Sequence, residues 1–331
     1  MALDQGARFP RLAPRAGHYE SFYIKACRPG GGRGIWIRHT VHKRPGEECT
    51  ASIWFTFFDR EATAPRATKI TVPAARLSAP VGSWIRVEEA EIGPGRASGS
   101  IKTDALAASW ELDFAGDAPP CRYLPADWLY SAPLPRTKFV APFPDARFDG
   151  RLELDGEEVE IAGWPGMIGH NWGSEHAERW VWLEGTGFDG ATETYFDAGA
   201  ARIKIGPWTT SWIPSGMLLL DGEAHRLGGF GKVGAASIDA RPGECNFVLP
   251  GDGITVRGKV SAPEKDFVGW VYADPKGPEH NTINCSVSDL ELTVEQPGRA
   301  DRHLFLTAGA AYEFGMRETD HGIPIQPYPD G

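Results

Sequence analysis

A run of small, polar and aromatic residues, Gly169-His170-Asn171-Trp172-Gly173-Ser174-Glu175-His176, is followed closely by Arg179-Trp180-Val181-Trp182-Leu183-Glu184. Histidine and carboxyl groups protonate an alkene or activate water when their surroundings bring their pKa toward neutrality. Indole rings beside them stabilise a developing carbocation through the ring quadrupole. On a strand, Trp180, Trp182 and Glu184 share one face, so two indoles and a carboxylate project the same way. The combination suits acid-initiated chemistry on a polyene. His170 or Glu175 would be the proton donor, with His176 as a further ionisable group. Asn171 would orient the donor or a substrate oxygen, and Trp172, Trp180 and Trp182 would wall the cavity. The same residues also read structurally: the tryptophans as core, and the His, Asn and Glu side chains as partners for backbone groups at a glycine-flanked turn.

Other positions join this set on weaker grounds. In His18-Tyr19-Glu20-Ser21-Phe22-Tyr23, Glu20 and Tyr23 could line a barrel mouth, although an exposed first strand would carry similar residues. Trp54, Tyr195, Trp270, Tyr272, Asn284 and the Tyr312-Glu313-Phe314 segment qualify because aromatic and polar-tipped side chains often line ligand cavities. His170, Glu175 and His176 lack an established ligand spacing, so no metal site is expected from them. His39 and His42 would point to opposite faces of one strand and read as surface residues. Two stretches match a dinucleotide glycine pattern (Gly185, Gly187, Gly190 and Gly229, Gly231, Gly234), yet neither opens an amphipathic helix within a βαβ unit. Both read as turns. A G-x-S-x-G elbow and a Ser or Thr after Gly231-Lys232 are absent, which removes the usual serine esterases and P-loop hydrolases.

These residues need elements to hold them, and the dominant pattern is period two. Ile35/Ile37, Ile53/Phe55/Phe57, Ile85/Val87 and Trp110/Leu112/Phe114 alternate with other residues in the first half. Val159/Ile161, Ile203/Ile205, Phe247/Leu249, Leu290/Leu292/Val294 and Leu304/Leu306 do so in the second. Asp155-Gly156 and Asp221-Gly222 lie between apolar runs and predict two-residue hairpins. With 40 Gly and 27 Pro spread along the chain, hardly any window can carry a helical apolar stripe, so helices should be few and short. Many short strands with frequent turns point to barrels or sandwiches, and a barrel leaves no open edges and encloses a cavity.

At 331 residues the chain suggests two domains. The proline-rich stretch 125–144 reads as an extended connector, placing one β domain at 1–145 and a second at 146–331. Each half has a Trp-containing strand followed by an aromatic one, a weak sign of duplication. Acidic residues outnumber basic ones by 44 to 34 with no basic run, which argues against nucleic acid as a partner. No apolar stretch is long enough to span a bilayer, and the start of the chain lacks a signal-peptide pattern, so a cytoplasmic protein is expected. The five cysteines show no C-x-x-C pair, and free, mostly buried thiols are the expectation.

Asn171-Trp172-Gly173 followed by Trp180-Val181-Trp182 resembles the pattern of tocopherol cyclases. Leu134-Pro135-Arg136-Thr137-Lys138, Phe148 and Gly150, and Gly163-Trp164 are similar to the connector of the wider lipocalin-like group that includes carotenoid hydratases and AttH-like proteins. Tyr19 to Tyr23, Trp36-Ile37-Arg38-His39-Thr40 and Trp54-Phe55 resemble that group's first domain. Where that group's cyclases carry charged residues directly before Asn-Trp-Gly, this chain has Gly169-His170. The resemblance implies an all-β chain of two consecutive lipocalin-like (calycin) barrels or half-barrels that hold a hydrophobic small molecule and no cofactor. Its members cyclise or hydrate isoprenoids by protonation. The expectation is therefore a cyclase, hydratase or isomerase of an isoprenoid- or polyketide-like molecule. A non-catalytic carrier of a hydrophobic ligand is the competing reading. The two differ in one respect: an enzyme should set an ionisable group with a shifted pKa against the ligand space, whereas a carrier needs only apolar walls. Oligomeric state has no signature in the sequence.

Overall fold

In a computed structural model of the chain, which describes residues 6–328, the alternating segments become antiparallel strands gathered into two large sheets. The first sheet is built from β1 (His18–Cys27), β2 (Arg33–Lys43), β3 (Thr50–Asp59), β4 (Arg66–Pro73), β5 (Leu77–Ser78), β6 (Ile85–Val87), β7 (Ala90–Gly93), β8 (Arg96–Lys102), β9 (Ala107–Ala115), β10 (Cys121–Arg122), β11 (Thr137–Leu154) and β12 (Glu157–Gly173). Its order is β4-β3-β2-β1-β12-β11-β9-β8-β7-β6-β5, with β10 against β11. It curls into a nearly closed barrel around Phe22, Ile24, Ile37, Phe55, Trp110 and Phe148.

After a short linker come β13 (Arg179–Phe188), β14 (Ala191–Arg202), a small separate hairpin of β15 (Lys204–Ile205) and β16 (Trp208–Thr209), then β17 (Ile213–Leu220), β18 (Glu223–Gly228), β19 (Ser237–Arg241), β20 (Glu244–Pro250), β21 (Thr255–Ser261), β22 (Val268–Ala273), β23 (Glu279–Glu295) and β24 (Arg302–Met316). The second sheet runs β18-β17-β14-β13-β24-β23-β21-β20-β19, with β22 on β23, and forms a half-barrel. In each sheet the opening strand pairs with the last strand of its own unit, β1 with β12 and β13 with β24. The hint of duplication thus has a counterpart in the winding. Among the described residues helical structure is limited to short 3₁₀ turns. The two Asp-Gly pairs are hairpin turns with positive φ at both residues, 51° and 86° at Asp155-Gly156 and 51° and 80° at Asp221-Gly222.

The expected break near residue 145 falls inside β11, and the chain changes sheets between Gly173 and Arg179. Pro142 and Pro144 lie within β11, although proline cannot donate to a ladder. β11 accommodates them at two register shifts, between Val140 and Phe143 and between Phe143 and Ala146, where bulges leave backbone N–H groups out of the pairing.

β1 to β3 are buried on both faces, and this positions everything that follows. One face lines the first barrel. The other packs against the second sheet, so Tyr23, Trp36, Trp54 and Met167 share a core with Val181, Trp182, Trp270 and Tyr272. His39 and His42, expected at the surface, are consequently buried. His39 points into the barrel opposite Phe22, and desolvation lowers its pKa to about 3, so it stays neutral. The cysteines are free as expected, with Cys27, Cys121, Cys245 and Cys285 buried.

Candidate functional site in the seam between the sheets

Strand alternation splits the Gly169 to His176 cluster. His170 pairs with Phe22 and faces the barrel interior, stacking on Phe22 at 3.9 Å, with Trp172 on the same side. Asn171 faces the opposite way and accepts a short hydrogen bond from Ser21. Glu175, expected as an alternative acid, lies half-exposed on the linker in an ion pair with Arg136. His170 is fully buried and kept neutral by desolvation, so its Nε2–H donates to Glu20 at 2.8 Å.

Glu20 also accepts hydrogen bonds from the backbone N–H groups of Arg8 and Phe9, at 2.8 Å each, and lies 3.3 Å from His18. Burial alone would raise its pKa, but the histidine hydrogen bonds outweigh it and hold the carboxyl at about 2. The group ties the N-terminal segment to the barrel and reads as structural. Because the folded pKa is depressed, its stabilisation is complete above the ordinary value of 4.5 and is lost as pH falls toward 2. Glu20→Gln should therefore cost roughly 3 kcal/mol at pH 7 and little at pH 2. Urea unfolding at both pH values checks this, and equal losses at both would contradict it.

The ionisable and aromatic groups that face one another across the two sheets form a second, larger constellation. From the first sheet come Tyr23, Lys25, Arg38, Trp54 and Thr56, which lie on one face of adjacent strands. Gly169 makes room for Tyr23, because a Cβ there would lie 2.1 Å from the phenol ring. From the second sheet come Trp180, Trp182 and Glu184 on β13, Asp197 on β14, Asn284 on β23 and Glu313 on β24. The register sets Glu313 beside both Trp182 and Asn284, and Glu184 beside Asp197. The shared face of Trp180, Trp182 and Glu184 is as expected. Gly315 lets the Trp180 ring lie flat on its neighbour, since a Cβ there would be 2.2 Å from the indole.

The two faces interlock through rings. Trp54 meets Trp270 at 5.0 Å and Tyr272 at 5.6 Å, both edge-on, and Tyr23 meets Trp182 edge-on at 5.4 Å. The Arg38 guanidinium lies 4.2 Å over the Tyr272 ring and 5.3 Å over Trp54. Lys25 and Glu184, both fully buried, pair at 2.7 Å. Glu313 accepts hydrogen bonds from Trp180 Nε1 and the Tyr272 hydroxyl at 2.9 Å each, and from Asn284 Nδ2 at 3.3 Å.

Many buried polar atoms of this seam find no hydrogen-bond partner within the protein. They include Tyr23 Oη, Arg38 Nε and Nη1, Thr56 Oγ1, Trp270 Nε1, Thr282 Oγ1 and Asn284 Oδ1. A folded chain ordinarily leaves only a few such atoms, and each costs about 1–3 kcal/mol when left unmade. These atoms lie on the two facing sheets, between the aromatic rings that interlock there. Asp197 is the chemically distinctive member. Its Oδ1 accepts from Trp182 Nε1 at 2.9 Å, it is fully buried, and desolvation raises its pKa to about 7 against the opposing hydrogen bonds of Tyr123 and Trp182.

Of the expected site residues, Tyr23, Trp54, Trp180, Trp182, Trp270, Tyr272 and Asn284 lie in the seam. Asn171 faces the same side, and Tyr195 sits two residues from Asp197 on β14. Glu20, His170 and Trp172 belong to the first barrel. His176 lies on the linker, where Tyr19 stacks on it at 3.9 Å and Asp274 bonds its Nδ1 at 2.7 Å. Sequence reasoning passed over Lys25, Arg38, Asp197, Asp274 and His280. Arg38 and Asp197 carried a usable signal, a charge directly following an apolar and aromatic run, Ile35-Trp36-Ile37 and Tyr195-Phe196.

The architecture is thus all-β, a nearly closed barrel and a half-barrel in tandem that meet along a polar and aromatic seam. Three solved structures share it. A protein assigned as AttH from Nitrosomonas europaea aligns with a TM-score of 0.56 and 11% identity, over 94% of this chain and 97% of that one. CghA aligns with a TM-score of 0.58 and 11% identity, over 94% and 91%. Kievitone hydratase from Nectria haematococca gives a TM-score of 0.50 and 11% identity, over 92% and 89%. At these identities the likeness is one of fold. In sequence the chain is 28% identical over 337 residues to an uncharacterized protein of Mycobacterium tuberculosis, in strains CDC 1551 and H37Rv, spanning 95% of this chain and 91% of that protein. No family model matches the chain. No helix among the described residues is long and apolar enough to cross a membrane.

Proposed function

We propose that the chain is an enzyme that hydrates, cyclises or isomerises a hydrophobic, oxygen-bearing small molecule by acid-initiated chemistry in the seam between its two domains. The observation that carries this reading is Asp197, a buried carboxyl whose pKa is raised to about 7, set between the indole of Trp182 and the phenol of Tyr123. A carboxyl poised at neutrality can donate a proton to an alkene or enone carbon and take it back from water. Trp182, Trp54 and Tyr23 then face the cation with their rings. Arg38, held against Tyr272 with Nε and Nη1 free of protein partners, receives a substrate oxygen. These reactions conserve oxidation state, so a redox cofactor has no part in them.

In this reading the proton donor expected at His170 or Glu175 is instead Asp197 in the seam. The fold shared with a kievitone hydratase fits this chemistry, and the Asn171-Trp172-Gly173 resemblance to tocopherol cyclases puts prenylated phenols and terpenoid alkenes first among substrates to try. A carrier would need only apolar walls, and the charges buried in this seam would weaken such a carrier without serving it. Incubation with a panel of prenylated phenols, terpenoid alkenes and enones in heavy water tests the proposal. Deuterium on a substrate carbon, read by mass spectrometry, is the expected result. Tight binding of a panel compound without exchange or turnover would overturn it in favour of a carrier. Arg38→Met is expected to raise KM at least tenfold with a smaller effect on kcat. A KM equal to wild type would remove Arg38 from substrate binding.

A further inference from the structure

We propose that His176, Asp274 and His280 form a binding site for a divalent first-row transition cation, with zinc as the reference ion. One ligand atom from each of the three residues lies within 4.8 Å of the others. Asp274 Oδ1 is 2.7 Å from His176 Nδ1, and Asp274 Oδ2 is 3.9 Å from His280 Nδ1. Two nitrogen or oxygen ligands on one tetrahedral zinc, each at about 2.1 Å, stand roughly 3.4 Å apart. The observed separations straddle that spacing, so rotations of side chains close the set without moving strands. Two histidines and one carboxylate is a donor set that suits zinc, iron(II) or cobalt(II) and leaves coordination positions for water or a substrate oxygen.

A second observation points to a ligand. His280 is fully buried, and neither of its ring nitrogens makes a hydrogen bond within the protein. An imidazole with both nitrogens unpartnered is costly to bury, and a cation on one of them removes that cost. The three residues come from parts of the chain far apart in sequence. His176 lies on the linker between the sheets, Asp274 directly follows β22, and His280 stands on β23 opposite Tyr272. The backbone N–H of His176 also donates to Asp274 at 2.6 Å, fixing the carboxylate beside the linker. The Trp180 ring stacks 5.5 Å from His176 and lies 5.2 Å from His280, giving the set an aromatic wall. A cation here would clamp the linker to the β22–β23 hairpin at the edge of the seam. The sequence had weighed His176 with His170 and Glu175, which face elsewhere. Its partners lie about a hundred residues downstream and carry no local spacing.

The site does not depend on the proposed catalytic role of Asp197, and its test uses no turnover. Full-length protein stripped with a chelator is titrated with cobalt(II), followed by visible d–d absorption, and with zinc(II) in competition. The expected result is about one equivalent of cobalt displaced by zinc, with zinc raising the thermal midpoint. His280→Gln and Asp274→Asn should each weaken binding at least tenfold and abolish the zinc-dependent shift, while His303→Gln, on the exposed end of β24, should bind as wild type does. The thermal midpoints of metal-free variants confirm that they are folded. Wild type that binds no cobalt, or binding left unchanged by both His280→Gln and Asp274→Asn, would overturn the proposal.

Discussion

Asp197→Asn is expected to slow turnover by a factor of about 10²–10⁴, the range typical for loss of a positioned general acid. The amide keeps the hydrogen bond from Trp182 Nε1 at Oδ1, so the fold and the aromatic wall survive while the proton is lost. In the wild type, turnover should fall about tenfold per pH unit above a midpoint near 7, because the active form is the protonated one. That limb should vanish in the variant. The substitution acts on stability in the opposite sense to its effect on turnover. A carboxyl whose folded pKa is raised from 3.8 to about 7 holds its proton in the native state and loses it in the unfolded chain, so stability declines as pH rises between those values. Asp197→Asn should therefore melt higher than wild type at pH 8. An inactive variant that is more stable than its parent is the signature of a group kept for chemistry at the expense of the fold. A variant less stable at pH 8 and fully active would show the carboxyl to be structural.

Lys25→Met is expected to cost about 3–5 kcal/mol, since it leaves Glu184 buried and charged without its partner. Both side chains are fully buried, and the ammonium also donates to the Gly309 carbonyl, so one substitution strips two acceptors at once. The pair joins the first sheet to the second. A cost of this size would loosen their contact and expose the seam. Replacing both partners, Lys25→Met with Glu184→Leu, should recover most of the loss, because the desolvation of two charges is removed together with their attraction. Chemical denaturation of the two single variants and the double variant gives the coupling directly. Losses that simply add would contradict an interaction between the two residues.

The sequence was most legible where one side of a strand meets solvent. Period-two alternation located β9 and β20, and the Asp-Gly pairs located their hairpins, because a pleated strand with one wet face has to alternate. β1 to β3 were harder to interpret. Both faces are buried, so polar residues such as His39 and Arg38 lie inside, and polarity no longer marks the surface. The barrel-type fold did not depend on this distinction, but the location of the site did. Crowding of His170, Asn171, Trp172 and Glu175 along the chain suggested one site, yet neighbouring residues on a strand point to opposite faces. The side chains that meet in the seam are contributed by β1, β2, β3, β13, β14, β22, β23 and β24, and pairing of that kind leaves no local pattern. The prolines of β11 gave no sign of a strand for a related reason, since they lie at register shifts that only the pairing reveals.

Trp180 and Trp182 share the seam-facing side of β13 with Glu184, while His170, on β12, faces the first barrel and donates to Glu20. The account places the bound molecule between the sheets, and a crystal structure of the chain with a substrate or product identified from the heavy-water panel tests that placement most directly. It predicts the ligand against Tyr23, Trp182 and Tyr272, with an oxygen on Arg38 and a carbon facing Asp197 Oδ2. A ligand lodged inside the first barrel against His170 and Glu20, with the seam closed, would contradict it.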